Sequence, residues 1–160
     1  MGSDEPYGAL RERVRSLDGV VLVIGDAETG KTTLARMLLR DAVEHGRTVA
    51  YVDGDVAAAT VGPVACVGLK VLSTLDDYDS LNTPDELRFV GAVEPNGVVL
   101  PHVVAVAALI DIAKERADLV ICDTTGVVTG VVGQTLKYPW SNLPSPPSLL
   151  RSGATKNSIR

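Results

Sequence analysis

The hydrophobic positions of this chain fall into short continuous runs, separated by longer amphipathic or polar stretches. Val20–Ile24 is entirely apolar, Leu119–Cys122 repeats that pattern late in the chain, and Thr48–Val52 lies between them. A continuous apolar run of this length is typical of a central parallel strand that is covered on both faces. The sequence therefore predicts a sheet whose central strands include these three runs.

A segment with helical periodicity separates the first two of these strands. In Thr32–His45, the apolar residues Leu34, Leu38 and Ala42 recur every four residues with other apolar residues beside them, and Arg36, Arg40 and Glu44 supply the polar side. Gly46 follows at a position where helices commonly end. A strand, a helix and a second strand within roughly 35 residues form a βαβ unit, which implies a parallel sheet.

The remaining elements carry weaker signals. Residues 76–86 are acidic and turn-rich. A nearly all-apolar run at Val103–Ala113 predicts a buried helix over residues 100–116. The other predicted elements are a short charged helix at Leu10–Leu17 and two strands at Val67–Leu72 and Arg88–Gly91.

The connection between the first strand and the first helix carries the clearest chemistry. Gly25 to Thr32 reads Gly-Asp-Ala-Glu-Thr-Gly-Lys-Thr, a complete G-x-x-x-x-G-K-[ST] phosphate-binding loop. In such a loop, successive backbone N–H groups surround a phosphate, and the helix N-terminus adds partial positive charge. Lys31 is expected to reach the β- and γ-phosphates of a nucleotide, and the Thr32 hydroxyl is expected to bind Mg²⁺. A glycine turn with a chance lysine is the alternative.

The predicted fold class is therefore α/β, a three-layer α/β/α domain with a parallel sheet of the P-loop NTPase type. The predicted nucleotide-binding residues of the loop are Gly25, Asp26, Ala27, Glu28, Thr29, Gly30, Lys31, Thr32 and Thr33.

Three carboxylates follow the predicted strands, namely Asp53, Asp55 and Asp123. The carboxyl ends of parallel strands collect functional groups at one edge of a sheet. Phosphoryl transfer to a hydroxyl needs a carboxylate near Mg²⁺ and benefits from a base, and each of these side chains is a candidate for those roles. A loop or helix cap is the alternative for each. Thr124 and Gly126 follow Asp123, and the glycine would let the backbone approach the terminal phosphate.

Composition and charge narrow the class of protein. The chain has 160 residues, of which 46% are hydrophobic, so we expect one domain with a real core. No apolar run approaches the roughly 20 residues of a membrane span, and the polar N-terminus does not resemble a signal peptide. We interpret Cys66 and Cys122 as buried reduced thiols of a cytoplasmic protein. The net charge of −5 gives no global basic field for nucleic acid. Two interpretations are open for Arg36, Arg40 and Arg47. They form a local basic patch, or they are solvated residues on helix faces.

Five motifs follow one another along the chain: the phosphate loop, Val52–Val56, Gly62-Pro63, Phe89–Gly91 with Pro95 and Gly97, and Asp123–Gly126. In this order and spacing they resemble the Clp1/Grc3 family of P-loop polynucleotide 5′-hydroxyl kinases. The resemblance covers about residues 19–137.

The resemblance implies ATP and Mg²⁺ as cofactors, and transfer of the ATP γ-phosphate to the 5′-hydroxyl of RNA or DNA. By matching position, the implied catalytic residues are Lys31, Asp53 and Asp55, with the two aspartates as metal and base carboxylates. Residues 124–126 match the Thr-x-Gly clasp near the transferred phosphate. The predicted Mg²⁺ ligands are Thr32, Asp53 and Asp123.

Three departures set this chain apart from the family. Ala58 stands where many members carry glutamine, and Val127 stands where eukaryotic members carry tryptophan. No equivalent of the arginine-bearing lid is evident. Residues 139–147 contain four prolines in nine positions. We therefore expect a nucleotide-binding domain at residues 1–133 and a proline-rich, irregular tail at residues 134–160. Replacement of the family's C-terminal part after Lys137 by truncation or a frame change is one interpretation, and a genuine tail is the other.

Two other functions also fit the motifs. One is a nucleotide-switched partner ATPase, similar to the nitrogenase iron protein and septum-site ATPases, although residues 26–28 are acidic where those proteins usually carry a second lysine. The other is a non-catalytic ATP-binding scaffold in RNA processing, which Ala58 favours. The sequence indicates no membrane partner and no particular oligomeric state.

Overall fold

The computed structural model describes residues 7–26, 28–94, 97–125 and 148–151. These residues form one sheet with helices on both faces, and none of the described helices combines the length and apolarity needed to cross a bilayer. The elements are α1 (Gly8–Arg15), β1 (Gly19–Ile24), α2 (Lys31–Glu44), β2 (Val49–Asp53), β3 (Cys66–Leu72), α3 (Leu75–Asp79), β4 (Glu86–Phe89), α4 (Val99–Arg116), β5 (Leu119–Asp123) and β6 (Ser148–Arg151).

The sheet has six strands in the order β4-β3-β2-β5-β1-β6. β5 lies between β1 and β2 and runs parallel to both, and β6 runs parallel to β1. On the other side of β2, β3 pairs antiparallel with β2, and β4 pairs antiparallel with β3. The predicted α/β class is confirmed, but the sheet is mixed. The connection between β2 and β3 contains no helix to carry the chain back across the sheet, so β3 returns in the opposite direction.

Two apolar layers cover the sheet. Leu34, Leu38 and Leu39 of α2 pack on one face, together with α1 and the region of α3. The buried side of α4 covers the other face. Successive residues of β1 contribute to opposite layers, because strand side chains alternate in direction. Burial on both faces explains why the central strands read as continuous apolar runs.

Several predicted elements differ from the observed ones. α1 spans Gly8–Arg15 and β4 spans Glu86–Phe89, each two residues earlier than predicted. The acidic, turn-rich stretch begins with α3, a helix that the sequence does not predict; its N-cap Thr74 accepts a hydrogen bond from the Asp77 amide in a reciprocal capping box.

The tail predicted at residues 134–160 lies outside the described residues, except for 148–151. Those four residues form β6 beside β1, where the sequence predicts irregular chain. The domain boundary near residue 133 stays a prediction.

Candidate nucleotide-binding site

The predicted phosphate loop lies between the end of β1 and the start of α2. Gly30 precedes the helix with a φ of +80°, a left-handed conformation that glycine adopts without strain. Lys31 is only 6% exposed, and its Nζ donates a hydrogen bond to the carbonyl of Asp26 at 2.6 Å. The ammonium is therefore held inside the loop by main-chain oxygen, away from bulk water. Ala27 lies outside the described residues.

Thr32 brings the phosphate loop into contact with the end of β5. Its hydroxyl donates to Oδ2 of Asp123 at 2.6 Å, and the Tyr51 hydroxyl donates to the same oxygen at 3.3 Å. Asp123 is 1% exposed, and its Oδ1 has no hydrogen-bond partner among the described residues. The pKa of Asp123 is raised to about 6, first by burial and also by the charges of Asp53 and Asp55, while the hydrogen bond from Thr32 acts in the opposite direction.

The pair of Thr32 and Asp123 fits a magnesium site. A hydroxyl and a carboxylate oxygen without a partner are hard oxygen ligands, and Mg²⁺ usually combines one or two carboxylates with phosphate oxygens and waters. Within the described ranges, no three His, Cys, Asp or Glu side chains group together as a metal site.

Asp53 supports the loop that follows β2. Its Oδ1 accepts the N–H of Asp55 at 3.0 Å, and its Oδ2 accepts the N–H groups of Thr60 and of Val61, the latter at 2.9 Å. Its side chain is 1% exposed, and burial raises its pKa to about 6 despite these three hydrogen bonds. These contacts agree with the loop-cap interpretation of Asp53. Its metal-binding and catalytic roles stay predictions.

Asp55 lies two residues further on, with more access to solvent. Its Oδ1 accepts the N–H groups of Ala57 at 3.0 Å and of Ala58 at 3.1 Å. Its Oδ2 has no hydrogen-bond partner among the described residues. Asp55 therefore combines a fixed backbone position with one available carboxylate oxygen.

The residues after β5 are only partly described. Thr124 donates its hydroxyl to the carbonyl of Val23 at 2.8 Å, which joins the end of β5 to β1. The buried hydroxyl of Thr125 has no partner in the described part of the chain. Gly126 lies outside the described residues, so the predicted clasp stays a prediction. Thr33 is exposed in the first turn of α2.

Two buried polar side chains at this site belong to none of the sequence motifs. Tyr51 of β2 is fully buried and contacts Asp123, as described above. His102 of α4 is 2% exposed, and its Nε2 lies 2.8 Å from the carbonyl oxygen of Gly54. Burial lowers the pKa of His102. A polar residue within an apolar run was the signal available in the sequence for both residues.

The arginines considered for a basic patch each have local partners. The Arg36 guanidinium lies 5.9 Å from the centre of the Tyr78 ring, and Arg40 pairs with Glu44 at 2.8 Å. Arg47 pairs with Asp18 at 2.7 Å and donates to main-chain carbonyls near the end of α1. These contacts favour the helix-face interpretation for Arg36 and Arg40. The two cysteines are free and buried, as predicted.

The chain is similar to a known family and to several known proteins. Residues 25–143 match the family model described as mRNA cleavage and polyadenylation factor CLP1 P-loop. A polyribonucleotide 5′-hydroxyl-kinase of Pyrococcus horikoshii is 35% identical over 123 residues, which cover 74% of this chain and 34% of that protein. A polyribonucleotide 5′-hydroxyl-kinase of Thermococcus kodakarensis is 30% identical over 144 residues, which cover 88% of this chain and 40% of that protein. A protein CLP1 homolog of Drosophila grimshawi is 29% identical over 121 residues, which cover 69% of this chain and 28% of that protein.

The chain spans about a third of the length of the curated relatives that it matches. Among solved structures, the signal recognition particle receptor FtsY of Elizabethkingia anophelis superposes with a TM-score of 0.48 and 17% identity, over 95% of this chain and 50% of that chain. FtsY of Thermotoga maritima gives a TM-score of 0.46 and 18% identity, over 90% and 50%.

Proposed function

The chain belongs to the CLP1 P-loop family, and we propose that it transfers the γ-phosphate of ATP to the 5′-hydroxyl of a polynucleotide. The observation that carries the proposal is the 2.6 Å hydrogen bond between Thr32 and Asp123, because it joins the phosphate loop to a buried carboxylate. The polyribonucleotide 5′-hydroxyl-kinases among its relatives make RNA the first acceptor to test.

In this proposal, the phosphate loop binds the triphosphate. Lys31 exchanges its hydrogen bond to the Asp26 carbonyl for phosphate oxygens, and the N–H groups at the start of α2 contact the same anion. Thr32 and Asp123 would hold Mg²⁺, which when bound supplies neutralisation of phosphate charge.

Asp55 is the proposed general base. The oxygen of the 5′-hydroxyl forms a bond to the γ-phosphorus, the bond from that phosphorus to the β–γ bridging oxygen breaks, and ADP leaves. The hydroxyl proton passes to Oδ2 of Asp55. Asp55 suits this role better than Asp53, because the Asp53 oxygens accept three backbone hydrogen bonds and its side chain is 1% exposed.

The test is transfer of label from γ-labelled ATP with Mg²⁺ to a 5′-hydroxyl RNA oligonucleotide. A 5′-phosphorylated oligonucleotide of the same sequence is the acceptor control. Wild-type protein should label only the 5′-hydroxyl RNA, and Lys31→Ala should not. Asp55→Asn should lower the rate by about 10²- to 10⁴-fold, as expected for loss of a general base, with ATP affinity retained. Asp76→Asn, an exposed change on α3, is the matched control.

Two results would contradict the proposal. One is wild-type protein that releases label as inorganic phosphate without labelling RNA, which is the behaviour of a partner ATPase. The other is Asp55→Asn with wild-type transfer, which would remove Asp55 from the reaction while leaving the kinase in place.

A further inference from the structure

We propose that His102 is a positioning residue for the loop that carries Asp53 and Asp55, and that it acts by donating its Nε2–H to the carbonyl of Gly54. The part of the inference that concerns catalysis rests on the proposed function, because Asp55 is the proposed base. The part that concerns the loop does not.

The peptide groups of Gly54 connect this loop to two neighbouring elements. The Gly54 carbonyl lies 2.8 Å from Nε2 of His102 on α4, and the Gly54 N–H donates to the carbonyl of Asp123 on β5 at 2.9 Å. A carbonyl oxygen only accepts, so Nε2 carries the hydrogen. Burial lowers the pKa of His102 and so favours the neutral ring, protonated at Nε2 alone. The chain between the two aspartates is therefore held from both sides.

Close packing at Gly54 makes these two contacts restrictive. A Cβ at this position would lie 2.8 Å from the Asp123 carbonyl oxygen, 3.5 Å from Cγ2 of Val106 and 3.9 Å from Nε2 of His102. Gly54 therefore lies directly against the main chain of β5 and close to α4. The hydrogen bond from His102 adds a restraint on the direction of the Gly54 carbonyl.

The chemistry of His102 also points to a specific purpose. The side of α4 that faces the sheet is otherwise apolar, with Val106, Leu109 and Ile110 buried in it. His102 is 2% exposed, and its Nδ1 has no hydrogen-bond partner among the described residues. A buried acceptor without a partner is unfavourable, so packing alone favours an apolar side chain here. The Nε2–H donor is what the imidazole adds to this position.

The restraint reaches the proposed base through one residue. Asp55 follows Gly54 directly, its N–H donates to Asp53 at 3.0 Å, and its own Oδ1 caps Ala57 and Ala58. The direction of the Gly54 peptide therefore sets the direction in which Asp55 leaves β2. A shift of about 1 Å in a reacting group can lower a rate by about 10²-fold.

The experiment compares three variants of the full chain. His102→Gln keeps an N–H donor at a similar reach, and His102→Leu keeps the bulk without the donor. Ile110→Val is a buried change about two turns further along the same helix. Amide hydrogen exchange of residues 54–61 is measured in each, together with kcat and KM for ATP in the RNA assay.

His102→Leu should speed exchange in residues 54–61 by about tenfold or more relative to β1 and β5. It should also lower kcat by about 10- to 100-fold with the KM for ATP within about twofold, because the phosphate loop is untouched. His102→Gln should restore both quantities toward wild type, and Ile110→Val should leave both unchanged. If His102→Leu does not fold, His102→Asn, whose shorter amide does not reach the carbonyl, takes its place.

Equal exchange across 54–61 in His102→Leu and wild type would overturn the inference. A uniform rise across the whole sheet would also overturn it, since that indicates a general structural role. If wild-type protein labels no RNA, the proposed function fails, and the exchange comparison still decides whether His102 holds the loop.

Discussion

At the scale of single residues, we expect Lys31 to contribute to nucleotide binding and little to folding stability. Its ammonium contacts the Asp26 carbonyl of its own loop. Lys31→Ala should therefore reduce ATP affinity by about tenfold or more, because a charged hydrogen bond to phosphate contributes about 1.5–3 kcal/mol. The thermal midpoint should change little. Isothermal titration with ATP and Mg²⁺ measures the affinity, and Lys114→Ala, an exposed change on α4, is the control. ATP affinity equal to wild type in Lys31→Ala would refute the site.

Asp123 should lower the stability of the folded protein at neutral pH. Its pKa is about 6 in the folded chain against an ordinary value of 3.8, so the folded state binds the proton more tightly than the unfolded state does. Stability then falls as the pH rises from about 4 through about 6, and the loss persists above that range. Asp123→Asn should be more stable than wild type at pH 7.5 by on the order of 1–3 kcal/mol, and about equal to it at pH 4.

Urea unfolding at the two pH values measures this difference. The asparagine oxygen still accepts from Thr32 and Tyr51, so neither hydroxyl loses its acceptor. Asp111→Asn, at a side chain that is 71% exposed, should show no such dependence. A stability difference for Asp123→Asn that is the same at both pH values would show that the aspartate charge is not its cause.

The sequence predicts some of these residues and not others, for physical reasons. Lys31 and Thr32 follow from local spacing, and Asp123 follows because it ends a buried strand. The capping role of Asp53 depends on the amides of Thr60 and Val61, seven and eight residues later in the chain. The direction of those amides is set by the conformation of the loop, which the sequence pattern does not show. His102 is a single histidine in an apolar helix, and nothing in its neighbourhood along the chain identifies Gly54 as its partner.

At the scale of elements, the β2–β3 connection should not accept a side chain at Gly54. A Cβ there would lie 2.8 Å from a main-chain oxygen of β5, which cannot move without disturbing the sheet. Gly54→Ala should lower the free energy of unfolding by about 1–3 kcal/mol, as overpacking does. Gly97→Ala is the control, since a Cβ there meets no atom within 4 Å. Urea unfolding of both variants checks this, and equal losses would show that the packing at Gly54 is not restrictive.

The directions of the strands were harder to predict than their positions. The apolar runs locate β1, β2 and β5, and the helix between the first two indicates that these run parallel. β3 and β4 carry no such indication, because the segments before them are a loop and a short helix. Their antiparallel pairing is a consequence of connections too short and irregular to cross the sheet.

At the scale of the whole molecule, stability should be uneven across the sheet. Every residue of β2 and β5 is buried, whereas β4 is a partly exposed edge strand that ends at Phe89, which is 78% exposed. In native-state hydrogen exchange, the amides of β5 should exchange only through global unfolding. The amides of β4 should exchange through local opening, which has a lower free energy. Exchange from β4 as slow as from β5 would contradict this.

The order of strands also determines when the phosphate loop can form during synthesis. β1 has β5 and β6 as its neighbours, so the strand that precedes the loop pairs with residues about 100 positions later in the chain. Such distant contacts form late, because a long segment must first be closed. A nascent chain that ends before β5 already contains Gly25–Thr32 and the four described helices, but it lacks β5 and β6, the two strands that pair with β1. The ability to bind a nucleotide should therefore emerge abruptly on the ribosome, once Leu119–Asp123 has left the exit tunnel.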